Sequence, residues 1–195
     1  MFLVSKPTRS EVDAFIDRSA ETALSYPDVG ATRSVHPGDL SSYNVDHNRI
    51  LIGNGDAAFQ KAKQAVREWR IFDMPWVELC WPITPIDKER TVAILIRHFG
   101  FYSLNAARIV YTIDEDTWFG FAYGTLEDHG ESGEERFSVL FDERSGDVVY
   151  DLFAFSRPNH SLAKLGYPLT RMLQKRFAAD SKQAMLRAVR DNRIN

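Results

Sequence analysis

Between residues 105 and 156 the chain alternates apolar-rich runs with polar breaks, and the runs read as four successive strands: NAARIVYTI, TWFGFAYGTL, EERFSVLF and DVVYDLFAFS. Each is rich in aromatic and β-branched residues, which suit a pleated, half-buried surface. The breaks carry turn chemistry: Asp114-Glu115-Asp116, then residues 127–133, then residues 142–147 with Gly146 available for a positive φ. Connections this short join antiparallel neighbours, so the stretch predicts a curved meander that buries one face.

The pattern then changes period. From residue 159 to about 192, Leu162, Leu165, Leu169, Met172, Leu173, Phe177, Ala184, Met185, Ala188 and Val189 recur at helical spacing, which predicts a long amphipathic helix to cover the sheet. Gly166-Tyr167-Pro168 is expected to kink or restart it, because proline lacks the amide donor and crowds the preceding turn. Upstream, residues 8–25 predict a helix opened by the capping box Thr8-Arg9-Ser10-Glu11, followed by a polar, turn-rich connection to residue 42. Residues 43–52 read as a strand and 55–69 as a helix. Residues 71–85, punctuated by Pro75, Pro82 and Pro85, are irregular or contain one short strand, and TVAILIRHFGF (91–101) is a further strand.

The sum is an α+β fold in one domain, 1–195: a curved antiparallel sheet of about six strands wrapped around a long C-terminal helix. Residues 1–42 form an added N-terminal helix and loop, and residues 43–195 form the core. Gly53-x-Gly55-x-x-Ala58 between strand and helix, with Asp73 twenty residues after Gly53, matches a dinucleotide-binding fingerprint. The alternation of strands and helices that such a site requires is missing, so the glycines read as a tight corner.

Composition narrows the setting. Cys80 is the single cysteine and cannot form an internal disulfide, and no apolar run approaches the roughly 20 residues of a spanning helix, so a cytoplasmic protein with no membrane span is expected. Charge is uneven. Residues 157–195 carry nine Lys or Arg against Asp180 and Asp191, whereas residues 114–151 carry twelve acids against Arg136 and Arg144. The basic helix suits an anionic lipid or nucleic acid, or simply the protein's own acidic strands; nucleic acid is not the first expectation. The apolar character of both faces of 147–156 leaves a homodimer possible.

No nucleophile motif occurs, the dinucleotide fingerprint lacks its context, and the scattered histidines leave only the loop cluster of Asp128, His129, Glu131, Glu134 and Glu135, which reads as a solvated polar turn rather than a divalent-ion site, so neither cofactor nor metal is expected. Alternation places Phe119, Phe121, Tyr123 and Thr125 on one face, and Val149, Asp151, Phe153 and Phe155 on another. If those faces line a cavity, the ligand-binding candidates are Tyr123, Thr125, Asp151, Phe121 and Phe153, with Arg108, Arg97 or His98 as charge partners. His129 and Glu134, in the polar loop with Asp128, Glu131 and Glu135, are candidate acid or base groups.

The stretches SYPDVGATR, YNVDHNRILIGNG, WVELC, IRHFGFYSLNAARIVY, FGFAYGTLEDHGESGEERF and FSRPNHSLAKLGYPLTRMLQKRFAADS cover nearly the whole chain. They resemble a family of bacterial and plant proteins of unknown function, grouped with the START-like (Bet v 1-like, SRPBCC) helix-grip folds. The resemblance implies a curved sheet gripping a C-terminal helix around an apolar cavity, and it supplies no catalytic residues. The usual grip has two short helices between its first two strands. The functional expectation is a binding protein for an apolar or amphipathic small molecule, with an enzyme using the same cavity, or a basic-helix interaction module, as the alternatives.

Overall fold

The computed structural model describes residues 1–34, 39–81, 83–127, 129–159 and 167–190. Seven strands form one antiparallel sheet: β2 (Asn44–Asn54), β3 (Val77–Cys80), β4 (Thr91–Arg97), β5 (Tyr102–Asp114), β6 (Trp118–Thr125), β7 (Glu131–Phe141) and β8 (Asp147–Pro158). Their order is β2-β8-β7-β6-β5-β4-β3, and the two-residue β1 (Phe2–Leu3) pairs beside β5. The main path therefore has seven strands, not six. The addition is β3, folded from the proline-punctuated stretch, where residues 77–80 pair with β4.

Two strand ends differ from the sequence expectation. The run 91–101 breaks at Gly100, which turns at φ 88°, so Tyr102 to Leu104 belong to β5. β7 starts at Glu131, and Gly133 lies inside it rather than in the turn. A β-carbon there would sit 1.9 Å from the carbonyl oxygen of Phe155 on β8, so the close pairing of these strands requires glycine. Register shifts between Leu51 and Gly53, and between Ile109 and Tyr111, mark bulges of the kind that increase twist and bend a sheet.

The concave face is the core. It packs on α2 (Asp56–Arg67), a 3-10 turn (Arg70–Phe72), and the long helix α3 (Tyr167–Arg190). Pro168 stands in the first turn of α3, where its missing amide has no helical partner to lose; residues 160–166, part of the predicted helix, lie outside the described residues. Phe59, Ala62 and Val66 of α2 join Met185 and Val189 of α3 in one buried cluster with Ile109, Phe121, Phe137 and Tyr150. Gly53 fits the corner reading: a β-carbon there would lie 2.7 Å from the Ala58 β-carbon, so it permits strand and helix to touch. With no parallel strand pair among the described residues, the fingerprint has no dinucleotide fold around it.

The convex face is covered by the N-terminal segment. The capping box of α1 (Arg9–Ala20) forms as expected, and Val12 and Phe15 bury against Cys80, Ala93, Leu95, Leu104 and Ala106. Farther along, Tyr26 and Leu40 cover Phe155, with Tyr43 edge-on to the same ring. The apolar outer side of β8 is thus met by the chain's own loop.

Candidate functional site

Strand alternation decides what enters the space between sheet and α3. On β7, Phe137 and Val139 belong to the concave core, so Glu135, Gly133 and Glu131 project on the same side as the strand runs outward. On β6 that side carries Phe119, Phe121 and Tyr123, and on β8 it carries Val148, Tyr150, Leu152 and Ala154. At one end the aromatic core fills the space, with Phe72, Phe121, Phe137 and Phe177 ring against ring. Toward the other end the helix and sheet leave a cavity of about 640 Å³. Phe72, Trp76, Ile94, Ile96, Leu152 and Phe177 give it an apolar wall.

A polar cluster interrupts that wall. Tyr123 and Glu135 are directly opposite in the β6–β7 register, and the Tyr123 hydroxyl donates to Glu135 Oε2 at 2.9 Å. Burial raises the Glu135 carboxyl to about 7, with the Tyr123 hydrogen bond opposing and the charge of Asp46 adding to the rise. Burial also raises Glu131, against the hydrogen bonds of Ser156 and Gln174, and its Oε1 is buried with no hydrogen-bond partner. His129, in the loop before β7, places Nδ1 3.0 Å from the Glu131 amide nitrogen and 3.1 Å from the Glu131 carbonyl oxygen, so the backbone of Glu131 holds the ring in place. Burial pushes His129 down to about 4. The cavity therefore holds one carboxyl poised near neutrality, a second four residues away along the same strand face, and an uncharged imidazole.

The predicted site residues separate into two sets. Tyr123 and His129 line the cavity; Thr125 also borders it, but its hydroxyl is engaged by the Gly133 amide at 2.8 Å and by Ser25. Phe121 is fully buried in the core that floors the cavity and does not line it. Asp151, Phe153, Arg108 and Glu134 belong to the outer side. Val148, Tyr150 and Leu152 take the inward positions of β8, which turns Asp151 out to meet Arg136 at 2.7 Å, Arg49 at 2.6 Å and His47 at 2.9 Å. Burial alone would raise Asp151, and the hydrogen bonds and charges of Arg136 and His47 more than offset it, holding its carboxyl low. Phe153 packs edge-on to His47 on that face. Arg108 donates to the carbonyls of Ser19, Ala20 and Thr22 and closes the C-terminus of α1. Glu134 accepts from Tyr26 Oη at 2.7 Å, from the amides of Gly30 and Thr32, and from the Thr32 hydroxyl, so it is an anchor and not an acid or base of the cavity.

Glu135 and Glu131 are the functional candidates that sequence reasoning passed over. The signal was present: Glu131-x-Gly133-x-Glu135-x-Phe137-x-Val139 puts two acids in phase with core residues of one strand. His98, a suggested charge partner, sits at the cavity edge and bonds Ser103 at 2.8 Å. Asp128 lies outside the described residues, and among those described no His, Cys, Asp and Glu group is arranged to hold a metal. The basic residues of α3 turn largely to the protein itself: Arg171 clasps Asp46 with two bonds, Lys182 reaches Asn48, and Arg187 reaches the Asp73 carbonyl. No described helix is long and apolar enough to cross a membrane.

Comparison with known proteins identifies relatives that align along most of this chain. Residues 25–184 match the family described as Domain of unknown function (DUF1990). A UPF0548 protein of Dictyostelium discoideum is 38% identical, covering 98% of this chain and 97% of its own. Another from Deinococcus radiodurans is 35% identical over 96% and 98%. Among solved structures, a hypothetical protein from Helicobacter pylori aligns with TM-score 0.52 at 16% identity, covering 86% of this chain and 94% of that one. Norcoclaurine synthase from Thalictrum flavum, in complex with dopamine and hydroxybenzaldehyde, aligns with TM-score 0.50 at 12% identity, over 83% and 96%. Likeness at these identities concerns the fold, and it is the Bet v 1-like helix grip that the sequence resemblance implied.

Proposed function

The chain belongs to the DUF1990 family of unknown function, and we propose that it is a cytoplasmic protein that binds an amphipathic small molecule between its sheet and α3. One observation carries this reading: a cavity of about 640 Å³ whose aromatic and aliphatic wall is joined by polar groups, among them the hydrogen-bonded pair Tyr123 and Glu135. Such a site takes up an apolar body by desolvation and orients it through a few fixed polar groups. Apolar walls around a space this large lose packing contacts that an occupant restores.

The test is uptake of a neutral solvatochromic dye, Nile red. The wild-type protein is expected to bind it saturably with a blue-shifted emission, and Ala154→Phe, which places a ring in the cavity lining, is expected to abolish uptake with an unchanged circular dichroism spectrum. Absence of saturable uptake by the wild type, or uptake by the filled variant equal to it, overturns the reading. One observation also favours catalysis in the same space: Glu135, held near neutrality beside a phenol, has the proton affinity of a general acid or base.

A further inference from the structure

We propose that the ligand carries an ammonium group, seated against Glu135 and within the field of Glu131, while its apolar body lies along Phe72, Ile94 and Phe177. The proposal rests on the cavity-binding reading and adds the ligand's charge to it. It comes from an account of the lining carboxylates.

Three acids line the cavity, Asp46, Glu131 and Glu135, and a fourth, Glu134, borders it with its carboxylate turned to the outer segment. Asp46 is neutralised by the two-bond clasp of Arg171 at 2.5 and 2.8 Å, and Glu134 is spent on the four donors of the outer segment. Glu131 and Glu135 remain. They stand on one strand face with Gly133 between them, roughly 13 Å apart along the backbone at the usual rise of an antiparallel strand, a span that an ammonium seated at Glu135 shares with Glu131 only through the field. Among the described residues no Lys, Arg or His forms an ion pair with Glu135, whose only hydrogen bond is the Tyr123 hydroxyl. Glu131 Oε1 is buried and takes no hydrogen bond at all.

The cations that border the cavity do not supply the missing charge. His129 is neutral at physiological pH, His47 is paired with Asp151, His98 is bonded to Ser103, Lys175 is exposed on α3, and Arg171, outside the lining but felt by Glu131, is clasped to Asp46. A buried carboxylate without a cation loses most of its solvation, and an ammonium, with three donors and a positive charge, restores it. An anionic ligand would meet two acids, and a neutral one would leave Glu135 without a counter-charge.

The experiment measures displacement of bound Nile red by three molecules of one shape: naphthylethylamine, naphthylethanol and naphthylacetate, at about pH 7.5. Wild-type protein is expected to prefer the amine over the alcohol by about tenfold or more, the span of a hydrogen bond to a charged group, and to bind the acid most weakly. Glu135→Gln is expected to bring amine and alcohol within about threefold of one another, each displacement being referred to that variant's own Nile red affinity. Equal or reversed preference in the wild type overturns the ammonium assignment and leaves the cavity reading intact. A preference that Glu135→Gln does not reduce overturns the role of Glu135. Failure of Nile red and all three molecules to bind removes the cavity reading and this inference together.

Discussion

Replacing Glu135 by glutamine should change how stability depends on pH. The native carboxyl is raised from 4.5 to about 7. Between these values the native state holds a proton that the unfolded state has released, so stability falls as pH rises from about 4.5 to about 7 and stays reduced above it. At about 1.4 kcal/mol per unit, and discounting for the side chain's exposure to the cavity, the loss is about 2–3 kcal/mol. His129 acts in the opposite sense. Its native value is lowered from 6.5 to about 4, so its contribution is lost as pH falls through that range. The two slopes oppose each other in the wild type, where Glu131, also raised by burial, acts in the sense of Glu135, and Tyr123, Tyr150, Asp46 and Arg171 are the ionisable groups around them on β6, β8, β2 and α3.

The glutamine of the Glu135→Gln variant still accepts the Tyr123 hydroxyl but cannot ionise. Urea unfolding of both proteins at about pH 5, 6, 7 and 8 gives a difference in which constant offsets drop out. The variant should gain about 2–3 kcal/mol relative to wild type between pH 5 and pH 8, and its own stability should climb through the range where His129 loses its proton. A difference that stays within about 0.5 kcal/mol across the series would refute the buried, cation-free placement of Glu135.

Three further outcomes separate the cavity from the outer scaffold. Tyr123→Phe removes the hydroxyl that orients Glu135, and should weaken naphthylethylamine binding by about three- to tenfold in the displacement assay with little change in melting temperature. Glu134→Ala leaves Tyr26, Gly30 and Thr32 donors without an acceptor; urea titration should show a loss of about 3 kcal/mol, while Nile red affinity of the folded protein stays as in wild type. Gly124→Ala places a β-carbon 2.1 Å from the Tyr26 hydroxyl, so thermal unfolding should reveal a cost of about 1–3 kcal/mol from displacement of that ring.

Much of the architecture was legible because turn chemistry and period change are local signals. The meander, the capping box at Thr8 and the corner at Gly53 depend on residues a few positions apart, and each forms. The inward faces were harder to read. β8 is apolar on both sides, since Tyr150 and Leu152 meet the core while Phe153 and Phe155 meet His47 and the N-terminal loop, so alternation alone could not orient Asp151. Arg108 and Glu134 were misplaced for a related reason: their partners are α1 and the segment around Thr32, 89 and 102 residues away in sequence. Glu135 was recoverable from its phase with Phe137 and Val139, and only its cross-strand register with Tyr123 fixed what it does.

The central claim, a small molecule held between sheet and α3, is tested most directly by native mass spectrometry of freshly purified protein against its denatured mass. The account predicts a released species of a few hundred daltons that carries a basic nitrogen, or, from protein stripped of it, a one-to-one adduct on adding naphthylethylamine that Ala154→Phe does not form. A bare chain mass that stays bare in the presence of the amine would contradict it.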